Sequence, residues 1–139
     1  MCGICGELRF DKQPARLETV QRMMDKLTRR GPDSAGHFRD GVLALGHRRL
    51  SIIDLSERAN QPMRDDKLGL SIVFNGTIYN YPQLRDELLS KGYSFFSSGD
   101  TEVIIKAYAE WGEACVERLH GMFAFAIWDS KNQVLFLAR

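Results

Sequence analysis

Apolar residues recur at helical spacing in three stretches of the chain and run together or alternate in several others. Leu17, Val20, Met23, Met24 and Leu27 form one stripe and predict a helix over 17–27. Arg29-Arg30-Gly31-Pro32-Asp33 ends it, because Gly-Pro is a strong breaker. Leu84, Leu88 and Leu89 mark a second helix from Tyr81 to Lys91, stopped by Gly92. A third starts at Asp100, with Val103, Ile104, Ala107, Tyr108 and Trp111 on its apolar side, and a shorter one follows around 113–119. Strands are predicted over 2–10, over 34–39 and 42–53 around the Asp40-Gly41 turn, and over Leu70–Phe74, which runs straight into Asn75-Gly76. Met122–Trp128 is nearly all apolar, as in a strand covered on both faces. A turn over Asp129–Asn132 leads to Val134–Leu137. Residues 54–67 are polar and turn-rich around Gln61-Pro62 and read as a surface loop; Tyr93–Phe96 reads as a short extended piece. Antiparallel hairpins plus one-sided helices predict a sheet covered by helices, in the α+β class.

Composition changes this picture little. The 139 residues fit one domain, and 44% hydrophobic with 27% charged residues is ordinary for a globular protein. A net charge of +1 provides no electrostatic argument for nucleic acid or an anionic membrane. No apolar run approaches the ~18–20 residues of a membrane span, and no signal-peptide pattern opens the chain. Three cysteines are too few, and odd in number, for a disulfide framework, so a reducing cytoplasm is expected. The final run Val134–Arg139 is strand-like with no polar tail, which points to the first part of a longer polypeptide.

Candidate chemistry starts at Cys2. Removal of Met1 would place a thiol and a free α-amine on one residue, an arrangement suited to nucleophilic attack on a carbonyl. Two other readings stay open from spacing alone: a core cysteine, or a Cys2–Cys5 metal or redox pair. In a strand those two positions face opposite sides, and Cys5 reads as packing. Asn75-Gly76 is either a hairpin turn or an oxyanion hole, in which the Asn75 side-chain amide and the Gly76 backbone N–H donate. Arg49 is a solvated arginine or a bidentate clamp for an α-carboxylate. Asp100 is a helix N-cap, a partner for a substrate ammonium, or both. His37, His47 and His120 show no metal spacing and read as structural.

Taken together the motifs resemble a known family. Met1-Cys2-Gly3-Ile4-Cys5-Gly6, Arg30-Gly31-Pro32-Asp33, Gly46-His47-Arg48-Arg49-Leu50-Ser51-Ile52-Ile53-Asp54, Gln61-Pro62-Met63, Phe74-Asn75-Gly76-Thr77-Ile78-Tyr79-Asn80, Ser98-Gly99-Asp100-Thr101-Glu102-Val103 and Gly121-Met122-Phe123-Ala124-Phe125-Ala126 occur in that order. The set is similar to the class II glutamine amidotransferase domain of the asparagine synthetase type and spans essentially all of residues 1–139.

The resemblance implies an N-terminal-nucleophile hydrolase fold, a four-layer αββα sandwich truncated at its C-terminus. It implies glutamine as substrate and Cys2 as glutaminase nucleophile. It further implies Asn75 and Gly76 as oxyanion hole, Arg49 for the glutamine α-carboxylate and Asp100 for its α-amine. Leu50, Ile52 and Ile53 would line the glutamine pocket. No metal or cofactor is expected in these residues. ATP and Mg belong to a synthetase domain expected in cis beyond residue 139, and a homodimer is left open. Thr77 departs from the glutamate usual in asparagine synthetases, so the ammonium contact made by that glutamate would be weaker, absent or replaced. Gly6-Glu7-Leu8-Arg9-Phe10-Asp11, Asn80-Tyr81 and Gly92-Tyr93-Ser94-Phe95-Phe96 are similar to bacterial N-acetylglutaminylglutamine amidotransferases, which make an osmoprotectant dipeptide amide. A true asparagine synthetase and a non-catalytic interaction module are the alternatives.

Overall fold

A computed structural model describes residues 2–51 and 57–139. The described residues form two antiparallel sheets. The first has β1 (Gly3–Leu8), β3 (Leu43–Arg49) and β2 (Ser34–Asp40) side by side, with β3 central. The second runs β4 (Met63–Asp65), β5 (Leu70–Ile78), β6 (Gly121–Asp129) and β7 (Val134–Ala138).

The alternation along β3 sets the layering. Ala44 and Gly46 face the helix α1 (Leu17–Lys26), and a Cβ on Gly46 would lie 2.7 Å from Met24 Sδ and from Val20 Cγ1. Glycine there lets the helix lie close on the sheet. Leu43 and Leu45 face the other way, onto Val73, Ala126 and Trp128 of the second sheet. The outer side of that sheet carries Ile72, Phe74, Phe125 and Ile127. These meet Leu84 and Leu88 of α2 (Tyr81–Ser90) and Val103, Ile104 and Ala107 of α3 (Asp100–Trp111). The order is helix, sheet, sheet, helices, so the predicted αββα sandwich is what forms.

Burial of these aliphatic groups dominates the energetics. Each fully buried Leu or Ile is worth roughly 1.5–3 kcal/mol. Exposed pairs such as Arg9–Asp11 and Arg64–Asp66 add little beside them, because solvent screens both charges. Two polar bonds also fasten sheet to sheet. Trp128 Nε1 donates to Asp40 Oδ2 at 2.7 Å, and His47 Nε2 donates to the Phe74 carbonyl at 3.1 Å.

Several expected boundaries change. β3 ends at Arg49, short of the strand predicted to residue 53, because its neighbours stop there: Gly3 pairs with Arg48 and Ser34 with Arg49. β5 passes through Asn75-Gly76 to Ile78 and stays paired with β6 down to Ile78 opposite Gly121. Asn75-Gly76 is therefore not a hairpin turn. Gly76 has φ +152°, and a Cβ on it would lie 2.2 Å from the Met122 carbonyl oxygen, so glycine serves the close approach of β6. The predicted surface loop over 54–67 contains β4 and buries Ala59, Gln61, Met63 and Asp65. The extended piece Tyr93–Phe96 joins no sheet; the Phe96 amide donates to the Glu102 carboxylate of α3 at 3.0 Å. The short helix around 113–119 is a 3₁₀ helix over Gly112–Arg118.

Candidate active site

A cavity of about 420 Å³ opens where the ends of the two sheets meet the N-terminus of α3. Its wall includes Cys2, Arg49, Leu50, Asn75, Gly76 and Asp100. Ile52 and Ile53 lie outside the described residues. The described candidates come from four separate stretches of chain, and each arrives for a local reason.

Cys2 lies just before β1, beside the end of β3. Leu50 has left the sheet, and its backbone N–H donates to Cys2 Sγ at 3.3 Å. The Cys2 carbonyl accepts from Arg30 Nε at 3.3 Å, which fixes the chain around the sulfur. The Cys2 Sγ also lies 3.6 Å from the Leu50 carbonyl, to which the thiol donates. The other two thiols differ. Cys5 sits on the opposite face of β1, packed with Ala15, Val20, Met24 and Ala44. Burial raises the Cys5 thiol, and raises Cys115 to about 11, which keeps both protonated and unreactive.

Arg49 follows Leu43, Leu45 and His47 on the inward face of β3. It is only 7% exposed, and its Nη1 donates to Asn60 Oδ1 at 2.8 Å. Ser34 Oγ donates to the same oxygen at 3.2 Å, so Asn60 ties the guanidinium to β2. Asp100 is the first residue of α3, after the N-cap Gly99, and not the cap itself. Its Oδ2 accepts the Ile78 N–H at 3.0 Å, which docks α3 onto the end of β5. Burial raises its carboxyl above the usual range, against the pull of backbone N–H groups of Ile78, Asp100 and Thr101. Among the described residues no cation pairs with it. Asn75 shares the inward face of β5 with Val73 and stands opposite Ala124 of β6.

Sequence reasoning passed over Gln61, Met63, Thr101 and Phe123, which also line the cavity. Gln61 is 8% exposed; its Oε1 accepts the Phe74 N–H at 2.6 Å and its Nε2 donates to Thr101 Oγ1 at 3.4 Å. A glutamine inside a polar stretch carries no signal of burial. The Gln61-Pro62-Met63 motif was its only mark in the sequence, and its bond to the Phe74 N–H explains the burial.

The whole chain, residues 1–139, matches the glutamine amidotransferase domain family, and the protein belongs to that family. It is 43% identical over 142 residues to asparagine synthetase [glutamine-hydrolyzing] 3 of Bacillus subtilis, covering 100% of this chain and 23% of that protein. It is 39% identical over 157 residues to a putative asparagine synthetase [glutamine-hydrolyzing] of Methanocaldococcus jannaschii, covering 100% of this chain and 30% of that one. The chain thus spans less than a third of these relatives' length. Among solved structures it is similar to the glutamine phosphoribosylpyrophosphate amidotransferase of Bacillus subtilis, with TM-score 0.54 and 27% identity, over 66% of this chain and 22% of that one. The fold is that of the N-terminal-nucleophile hydrolase amidotransferases. Among the described residues no helix is long and apolar enough to cross a membrane.

His47 gives this site a pH dependence. It is 1% exposed, its Nδ1 has no partner among the described residues, and burial lowers its pKa to about 4. The folded protein therefore binds fewer protons than the unfolded chain between about pH 6.5 and 4. The stability that neutral His47 contributes is present above pH 6.5 and lost as pH falls through 4, on the order of 3 kcal/mol. Urea unfolding at pH 7 and pH 4 is expected to show a smaller drop in His47→Gln than in the parent. Equal drops would show that His47 is not the titrating group.

Proposed function

We propose that this domain hydrolyses glutamine to glutamate and ammonia through a thioester on Cys2, and that the ammonia amidates an acceptor carboxylate. The observation that carries the reading is the convergence of Cys2, Arg49, Leu50, Asn75, Gly76 and Asp100 on one cavity, in a chain of this family. About 420 Å³ lies within the roughly 300–1,000 Å³ of small-molecule sites.

Glutamine enters with its α-carboxylate on the Arg49 guanidinium, whose planar fork matches two oxygens. Its α-ammonium meets Asp100, a buried carboxylate to which a cation restores the ionised form. Removal of Met1 frees the Cys2 α-amine, whose ordinary pKa of ~7.7–8.0 leaves part of it unprotonated at neutral pH. That amine takes the thiol proton, and the thiolate attacks the side-chain amide carbon. The carbonyl π electrons move onto oxygen, where the Asn75 side-chain N–H and the Gly76 backbone N–H donate. Collapse breaks the C–N bond, the ammonium returns the proton to the leaving nitrogen, and ammonia departs. Water then adds to the thioester with the amine as base. The second collapse expels the Cys2 thiolate and leaves glutamate.

The ammonia-consuming step is assigned to a synthetase portion in cis, outside these residues, where ATP and Mg would activate the acceptor. The names of the relatives support an asparagine synthetase-like acceptor reaction. Thr77, on the cavity wall in place of the usual glutamate, argues against a plain asparagine synthetase, and the resemblance of Gly6–Asp11, Asn80-Tyr81 and Gly92–Phe96 supports the narrower reading of N-acetylglutaminylglutamine as acceptor. Supplying the full-length protein with glutamine, ATP and either aspartate or N-acetylglutaminylglutamine separates the two. Under the narrower reading the dipeptide amide forms, whereas asparagine as sole product rejects it.

The glutaminase reading itself rests on Cys2. Cys2→Ala in the processed full-length protein is expected to abolish glutamate release while leaving ammonia-driven amidation, and retained glutamate release would refute the nucleophile. Arg49→Lys keeps the charge and loses the fork, so KM for glutamine should rise at least tenfold with a smaller change in kcat. A change in kcat alone would remove Arg49 from carboxylate binding.

A further inference from the structure

In an antiparallel strand the N–H and C=O of one residue point to the same edge, and successive residues alternate. On the edge of β5 away from β6, β4 supplies partners only as far as Met63 opposite Ile72. The next residue of that parity is Phe74, which is buried and lies beyond the end of β4. Its two backbone groups are taken by side chains. The Phe74 N–H donates to Gln61 Oε1 at 2.6 Å, and the Phe74 carbonyl accepts from His47 Nε2 at 3.1 Å. Gln61 is itself wedged: its carbonyl oxygen would lie 2.1 Å from a Cβ on Gly36 of β2. The far end of its amide donates to Thr101 Oγ1, next to Asp100.

We propose that Gln61 and His47 are positioning residues for the amide hydrolysis, substituting for an absent neighbouring strand: Gln61 holds the Val73–Phe74 peptide and His47 the Phe74–Asn75 peptide, so that Asn75 and Gly76 keep their aim. The peptide is planar, so a bond to the Phe74 carbonyl also sets the direction of the Asn75 N–H and the start of the Asn75 side chain. Without the two side chains the peptides on either side of Phe74 rock, and the donors drift from the developing oxyanion. Substrate binding at Arg49 and Asp100 survives, because Arg49 keeps its bond to Asn60 and Asp100 its bond to the Ile78 N–H.

This inference rests on the glutaminase reading, and full-length processed protein assayed for glutamine hydrolysis tests both. Gln61→Met and His47→Leu should each lower kcat about tenfold or more with KM for glutamine within about threefold. His47→Gln, whose amide reaches the Phe74 carbonyl, should recover most of the loss. In an Asn75→Ala background, adding Gln61→Met should cost less than about twofold further, because the two act as one unit. Wild-type kcat in cooperatively folded Gln61→Met and His47→Leu, a rise in KM alone, or multiplicative losses with Asn75→Ala would overturn it. Should those variants fail to fold, His47→Asn against His47→Gln decides. Both are polar, but the shorter amide misses the Phe74 carbonyl, so equal kcat overturns the proposal. Hydrolysis surviving in Cys2→Ala would instead sink the Cys2 thioester mechanism on which the proposal rests.

Discussion

The hydrogen bond from His47 Nε2 to the Phe74 carbonyl joins the two sheets where their apolar interface gives way to the cavity. One face of β3 carries Leu43, Leu45, His47 and Arg49 in turn, so a single strand passes from apolar core to the cavity in seven residues. Since a carbonyl only accepts, Nε2 carries the proton and Nδ1 is left as a buried lone pair. That tautomer suits an interior position, since a protonated ring would place an unpaired N–H and a charge between the sheets.

Charge is distributed around the cavity by the same economy. Lys106 on α3 is 5% exposed and binds Asp65 of β4, with Glu102 3.7 Å away. Glu102 in turn accepts the Phe96 and Ser97 amides and the Ser97 hydroxyl, at 3.0, 2.7 and 2.6 Å. These bonds satisfy the charges and stiffen the segments on both sides of the α3 N-terminus. Asp100, one turn from this network, has only N–H donors among the described residues. A carboxylate kept without a cation beside an arginine-lined cavity suits a zwitterion that brings its own ammonium.

The three helices were legible because apolar periodicity is local, and Leu17–Leu27 and Val103–Trp111 each carry it within one element; the αββα layer order came from the family resemblance. Cys5 as a packing residue followed from strand parity. The burial of Gln61 was not legible: it is buried because it finishes the bonding of β5 at Phe74, thirteen residues further on. Asn75-Gly76 misled for a related reason. The pair is the strongest short-range turn signal, yet Gly76 is required by the Met122 carbonyl of β6. The site candidates came from motif order and not from geometry. Cys2, Arg49, Asn75 and Asp100 span 99 positions, and only the fold puts them on one cavity.

The central claim is that the sulfur in this cavity is the nucleophile and that its own amine serves it. It is tested most directly by treating the full-length processed protein with a glutamine analogue carrying an electrophilic ketone in place of the side-chain amide, then mapping the adduct by peptide mass spectrometry. The account predicts a single adduct on Cys2 at a free amino terminus, suppressed by excess glutamine. An adduct on Cys5 or Cys115, or equal labelling of Cys2 in chains that retain Met1, would contradict it.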